Sequence, residues 1–277
     1  MANMIEFDVA LPGGNLHCYE HGSGDLVVIW HHGTPNVGEP PAPLFDKAEQ
    51  VGIRWLSFDR PGYGDSTPWP NRSVGSVSAC VQAVADARGV ERFALMGHSG
   101  GSSHAIAAGV ALGARTRAVL SIAALAPYGS PGLDWFAGMA DSGIAGLTAA
   151  REGRAAKEQF EADAVDSMPA FTPADLAMFD GPWRWLGSVA GRAMAGGPGG
   201  FIDDDLAYVR PWGVDPVELT APVLLVHGGA DAIVPAAHSE WLASVCPRSE
   251  LWRQPEDGHL SALRTAETAL EWLVDHA

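Results

Sequence analysis

The sequence predicts an α/β fold, a mostly parallel eight-stranded sheet flanked by helices and interrupted by a helical insertion. Three observations predict it. Short β-rich runs alternate with stretches of helical character. Several runs are apolar almost throughout, as strands covered on both faces are. The alternation then breaks after Pro127 and resumes only near 215.

The runs fall at 5–10, 15–20, 26–30, 53–58, 92–96, 117–123, 222–227 and 250–253, with helical stretches at 43–51, 75–87, 102–112, 236–245 and 261–275. Strand, helix, strand in succession is the pattern of parallel pairs joined by crossovers. Leu26-Val27-Val28-Ile29-Trp30 leads into a His-Gly turn, and 53–58 into the loop Asp59 to Ser66. Arg92-Phe93-Ala94-Leu95-Met96 runs into a glycine-rich turn and an alanine-rich helix. Between 128 and 214 the pattern is helical and loop-like, carrying Trp135, Phe136, Met139, Trp183, Trp185 and Tyr208. That length far exceeds an ordinary connection between parallel strands, so it reads as an inserted cap, with 1–127 and 215–277 as the core. The run Gly196-Gly197-Pro198-Gly199-Gly200 reads as a flexible loop, because no strand leads into it and no Lys-Ser/Thr follows.

Composition narrows the partners. The 277 residues hold 17 Lys and Arg against 33 Asp and Glu, a net charge of −16, with 47% hydrophobic residues. A substantial core follows, and no basic stripe is available to displace counterions from a nucleic acid. The same charge repels anionic lipid, so the expected partner is a neutral or weakly charged small molecule, and oligomeric state is left open. The first ten residues carry Glu6 and Asp8 and no basic start, and no stretch reaches membrane-spanning length, so the expectation is a soluble, cytoplasmic chain. Cys18, Cys80 and Cys246 are odd in number and widely spaced, which argues against disulfides and a structural zinc.

The glycine-rich turn is Gly97-His98-Ser99-Gly100-Gly101, a G-x-S-x-G between strand and helix. Such an elbow needs small neighbours because its central residue takes a strained backbone among close chains. The turn lifts the serine hydroxyl above the sheet edge, with the next amide at the positive end of a helix dipole. Ser99 is the candidate nucleophile and the Gly100 N–H the candidate oxyanion donor; the alternative is an ordinary serine in a tight turn. A serine needs a base, and the base an orienting acid, from other strand ends. In the chain order serine, acid, histidine, the base lies beyond the insertion. His227 ends a strand, His238 lies in a helix and His276 is penultimate, which leaves His259, in the loop between the last run and the final helix. The loop after 222–227 supplies Asp231, whereas the loop after 117–123 holds no carboxylate. A helix cap for Asp231 and a surface position for His259 are the structural alternatives. The second oxyanion amide is assigned to Thr34, with Gly33 as its rival; Pro35 has no N–H. His31 and His32 read as loop-shaping hydrogen bonders.

With His32-Gly33-Thr34-Pro35 and Asp59-Arg60-Pro61-Gly62-Tyr63-Gly64-Asp65-Ser66, these residues resemble the capped branch of the α/β-hydrolase superfamily over nearly the whole chain outside the insertion. The resemblance implies a Ser99, Asp231, His259 triad. A serine in place of the aspartate of epoxide hydrolases and dehalogenases implies acyl transfer, and Thr34 departs from the His-Gly-Gly-Pro-Gly loop of proline iminopeptidases. The Asp59 to Ser66 loop is expected to shape the site floor. The expected activity is that of a carboxylesterase-like serine hydrolase on a small hydrophobic ester or lactone, without metal or organic cofactor. Carbon–carbon bond hydrolysis of a β-diketone uses the same residues, and a small-ligand receptor with an idle triad is the non-enzymatic alternative.

Overall fold

The computed structural model describes residues 4–163 and 168–277; residues 1–3 of the N-terminal stretch and 164–167 of the insertion lie outside them. Strands β1 (Ile5–Leu11), β2 (Gly14–His21), β3 (Leu26–His31), β4 (Ile53–Phe58), β5 (Phe93–His98), β6 (Thr116–Ile122), β7 (Val223–Gly228) and β8 (Ser249–Gln254) form one 8-stranded sheet in the order β1-β2-β4-β3-β5-β6-β7-β8. β2 pairs antiparallel with β1 and β4, and every other ladder is parallel.

The helices are α1 (Phe45–Gln50), α2 (Val77–Ala87), α3 (Gly100–Leu112), α4 (Asp141–Glu152), α5 (Arg154–Asp163), α6 (Pro173–Leu176), α7 (Trp185–Met194), α8 (Gly199–Tyr208), α9 (Ala237–Val245) and α10 (Ala266–His276). Successive strand residues face opposite sides of a sheet, and the core divides accordingly. Val27, Ile29, Leu95, Val119 and Leu225 meet side chains of α2, α3 and α9 on one face. Val28, Trp30, Met96, Leu120 and Leu224 meet those of α1 and α10 on the other. β3, β5 and β7 are buried throughout because both faces are covered, whereas the edge strand β1 is largely exposed.

Two expected boundaries shift at the turn that matters. β5 continues to His98, because Gly97 and His98 keep pairing with Ser121 and Ile122 of β6. α3 then starts at Gly100 rather than 102, so no linker separates strand from helix. The final helical stretch opens as a 3-10 turn, Ser261–Thr265, before α10.

α4 to α8 all lie between β6 and β7. α7 is seated on the loop after β3: the Val37 N–H donates to the Val189 carbonyl over 3.2 Å, and Val37 and Tyr63 pack with Val189 and Ala193. Lys157 of α5 is buried between Glu161 and Asp205, each at 2.6 Å. The glycine run is not wholly a loop. Gly199 and Gly200 open α8, and a side chain on Gly200 would meet the Gly62 carbonyl at 2.6 Å, so the small residue there permits helix and loop to touch. Among the described residues no helix is long and apolar enough to cross a membrane, and all three cysteines are buried and free.

Leu95 lies in the middle of β5 with no exposed surface. Leu95→Ala is expected to lower unfolding free energy by about 2–5 kcal/mol, read from urea titration.

Candidate active site

Ser99 sits between β5 and α3 with φ 55° and ψ −132°, outside the backbone regions an L residue normally takes. Its surroundings hold it there. The Ser99 N–H donates to the Ile122 carbonyl at 2.8 Å, and its carbonyl accepts from the Ser102 N–H at 2.9 Å. A Cβ on Gly97 would lie 2.4 Å from the Gly101 carbonyl oxygen, and one on Gly101 would lie 2.1 Å from that of His31. The expected need for small neighbours thus has a specific cause, the close passage of β3 and the first turn of α3. Gly100, as the first helical residue, has an amide without an intrahelical acceptor.

His259 and Asp231 arrive from the loops after β8 and β7, which end at the same edge of the sheet as β5. His259 Nε2 lies 2.9 Å from Ser99 Oγ, and His259 Nδ1 lies 2.7 Å from Asp231 Oδ2. A carboxylate only accepts, so Nδ1 carries the proton and Nε2 is free to accept from the serine hydroxyl. Asp231 is fixed in turn by the amides of Ile233 and Val234, which donate to Oδ1 at 2.8 and 2.9 Å. His227 Nε2 approaches Oδ2 at 3.3 Å. Burial opposes ionisation of Asp231, but the His259 charge and the bonds from both histidines outweigh it and hold the carboxyl well below the usual carboxylate range. Burial likewise disfavours charge on His259, yet Asp231 beside it raises the imidazole above its ordinary value.

Thr34 stands next to this group. Its Oγ1 lies 2.8 Å from where a Cβ on Gly100 would be, and the Tyr208 hydroxyl only 1.9 Å from that point, so Gly100 leaves room for a tyrosine of α8. Thr34 Oγ1 donates to Asp204 Oδ2 at 2.6 Å and accepts from Tyr208 at 2.7 Å. His32 shapes the loop as expected, accepting the Arg60 N–H at Nε2 over 3.0 Å and donating from Nδ1 to the Gly33 carbonyl over 2.8 Å. His31 does not: its ring nitrogens have no hydrogen-bond partner among the described residues, because the ring is enclosed against Phe58.

Beneath the loop lies a cluster that the sequence does not announce. Asp204 of α8, fully buried, accepts from Arg60 at 2.6 Å, Arg72 at 2.7 Å and the Tyr63 hydroxyl at 2.8 Å. Burial would raise its carboxyl, but the two guanidinium charges outweigh that and keep it strongly ionised. Arg60 also donates to the carbonyls of His32 and Gly33, and so ties the Thr34 loop to the insertion. Asp59 accepts from the Gly38 N–H at 2.6 Å and from the Tyr19 hydroxyl at 3.1 Å. The Asp59 to Ser66 loop is therefore structural in its contacts, as expected. Asp175 of α6, also absent from the expected residues, accepts from the amides of His259, Leu260 and Ser261.

Two clefts of about 490 and 440 Å³ lie along β2, β4 and the turn at Gly22 to Gly24, and neither touches Ser99. Among the described residues no group of three or more His, Cys, Asp or Glu could hold a metal ion. Around Ser99 stand the His259 imidazole, in hydrogen-bond reach of its hydroxyl, and the Gly100 amide at the start of α3.

The sequence profile of the α/β hydrolase fold family matches residues 27–264. No curated protein sequence matches the chain closely enough to count as a relative. Among solved structures the chain is similar to a thermophilic esterase from Thermogutta terrifontis, with TM-score 0.70 and 20% identity over 99% of this chain and 100% of that one. It is similar to an enol-lactonase from Burkholderia xenovorans, with TM-score 0.73 and 19% identity over 98% and 99%. It also resembles a 2-hydroxy-6-oxo-6-phenylhexa-2,4-dienoate hydrolase from Rhodococcus, with TM-score 0.70 and 18% identity over 100% and 99%.

Removing the Asp204 carboxylate leaves two buried guanidinium groups without their counter-charge. Asp204→Ala is expected to cost about 3–5 kcal/mol of folding free energy in denaturant titration.

Proposed function

The chain belongs to the α/β hydrolase fold family, and from that premise we propose that it is a serine hydrolase acting through an acyl-enzyme on a small hydrophobic carboxylic ester or lactone. One observation carries the proposal: the unbroken hydrogen-bonded line from Ser99 Oγ through His259 to Asp231. In the proposed reaction His259 takes the Ser99 proton as Oγ attacks the acyl carbonyl. Asp231 stabilises the resulting imidazolium and keeps Nδ1 as the donor. The amides of Gly100 and Thr34 receive the negative oxygen of the tetrahedral intermediate. His259 then gives its proton to the leaving alcohol; water, deprotonated by the same imidazole, attacks the acyl carbonyl, and the imidazolium returns that proton to Ser99 Oγ as the acid departs. Nucleophile and base both come from the chain, so this reaction requires no cofactor.

The substrate's apolar character is inferred from the insertion, which we read as a cap over the site. Phe171, Phe179, Trp183 and Trp185 pack against the apolar cluster that contains Ile122, Ala123 and Leu260. Ala123 follows β6, and Leu260 follows His259, so this cluster reaches the edge of the sheet that carries Ser99. An acyl or aryl group entering there meets ring faces and methyl groups, which favours neutral hydrophobic substrates.

The test is a series of p-nitrophenyl esters of increasing acyl length, with lactones and a β-diketone alongside. Ester or lactone hydrolysis is expected, and Ser99→Ala is expected to lower kcat/KM by more than about a thousandfold. Hydrolysis of the β-diketone alone would replace acyl transfer from esters with carbon–carbon cleavage, and Ser99-independent activity would remove the proposed nucleophile. The base must be neutral to accept a proton, and its folded pKa is raised. The acid limb of kcat/KM is therefore expected above the ordinary imidazole value, with activity rising as pH passes through it.

A further inference from the structure

We propose that Asp175, a residue of the insertion, is a positioning residue for His259, holding the backbone on which the imidazole stands and adding a negative charge to its surroundings. The inference rests on the reading of His259 as the base. It starts from an aspartate that does two jobs. Thr172 and Asp175 form a capping box at α6: the Thr172 N–H and hydroxyl donate to Asp175 Oδ2, both at 2.9 Å, and the Asp175 N–H donates back to Thr172 Oγ1 at 3.1 Å. In an isolated helix the rest of that carboxylate would face water. Here it faces the His259 loop.

Oδ1 accepts from the Leu260 N–H at 2.8 Å, the Ser261 N–H at 2.7 Å and the Ser261 hydroxyl at 2.9 Å. Oδ2 accepts from the His259 N–H itself at 3.2 Å. Ser261 Oγ in turn accepts the Gly258 N–H at 2.7 Å. The loop is moulded around the carboxylate so closely that a Cβ on Gly258 would fall 2.2 Å from Oδ2. On the other side of the residue, the His259 carbonyl accepts from His98 Nε2 at 3.0 Å. The His259 main chain is thus gripped at its N–H by the insertion and at its carbonyl by β5, while Asp231 sets the ring.

A tie of this kind could be made with neutral groups, but Asp175 is an ion, and 1% exposed. Burial opposes its ionisation, yet the donors from Ser261 and Thr172 outweigh it and lower the carboxyl below its ordinary value. The charged and titratable groups around His259 are then Asp231 after β7 with His227 behind it, His98 at the end of β5, Asp175 of α6, and Asp257 of its own loop, paired with Arg264 at 3.0 Å. Burial and then the neighbouring His259 charge push His98 down to about 3, so it is neutral at working pH. Asp175 therefore adds to Asp231 in favouring imidazolium.

Asp175→Asn keeps the size of the side chain and removes its charge. With a p-nitrophenyl ester, kcat is expected to fall about ten- to a hundredfold with KM changed by less than about threefold. The acid limb of kcat/KM is expected to move down by roughly half a pH unit, because a favourable charge on the imidazolium has gone. The low-field proton signal of His259 Nδ1–H in the free protein should titrate with the same downward shift. A folded Asp175→Asn protein with parent kcat and an unmoved limb overturns the proposal. So does a raised KM at unchanged kcat, which would make Asp175 a substrate-binding group. Should Asp175→Asn fail to fold, Thr172→Val decides: it removes the hydroxyl that donates to Oδ2 and accepts the Asp175 N–H, and leaves the charge, so kcat should fall by about threefold with the limb in place, and parent kcat overturns the proposal. A parent protein without Ser99-dependent hydrolysis would sink the acyl-transfer reading alone, since the proton titration still decides the placement of charge by Asp175.

Discussion

Parallel pairing is the constraint from which the site follows. β3, β5, β6, β7 and β8 run the same way through adjacent ladders, so the loops that leave their carboxyl ends open onto one edge. Thr34, Ser99, Asp231 and His259 come from four of those loops. Residues far apart in the chain meet because the sheet's direction, rather than any local sequence, delivers them there. The strained turn at Ser99 is tolerable only because this framework is closed on both faces by α2, α3 and α9 and by α1 and α10.

The insertion is joined to that framework by two buried carboxylates of opposite duty. Asp204 reaches inward from α8 to arginines of the loops after β4, and through Arg60 it braces the Thr34 loop. Asp175 reaches from α6 to the His259 loop. Each would be a liability if left bare, since a buried charge without partners is costly. Satisfied as they are, they make the position of the insertion and the geometry around Ser99 a single mechanical unit. One holds the loop that carries Thr34, the other the loop that carries His259.

Much of the fold was legible in the residues. Near-continuous apolar runs locate β3, β5 and β7, where burial on both faces imposes that composition, and β-rich runs between helical stretches locate the other five strands within a few residues. The glycines around Ser99 were legible for the same kind of reason: a close approach of backbones leaves a mark on the sequence. Asp175 and Asp204 left none that one chain displays. Their partners lie in distant segments, and an aspartate in a capping box looks alike whether its second oxygen meets water or a histidine loop. The glycine run at 196–200 misleads for a related reason, because Gly200 serves contact with Gly62 rather than mobility. His31 sits beside a loop that needs hydrogen bonds, yet the chain turns it into an enclosed space that offers none.

The buried cluster under Thr34 is more than a single ion pair. Two guanidinium groups share the single carboxylate of Asp204, and His104 beside them is pushed by burial down to about 4 and so carries no charge at neutral pH. Asp203 beside Arg72 and the buried Asp59 next to Arg60 bring further carboxyl groups to the same region, so the loop that carries Thr34 rests on a network of buried ions rather than on one pair. A loop braced in this way keeps its place because the ions that hold it lie where water does not reach them. That network is assembled during folding, inside a molecule whose net charge is −16.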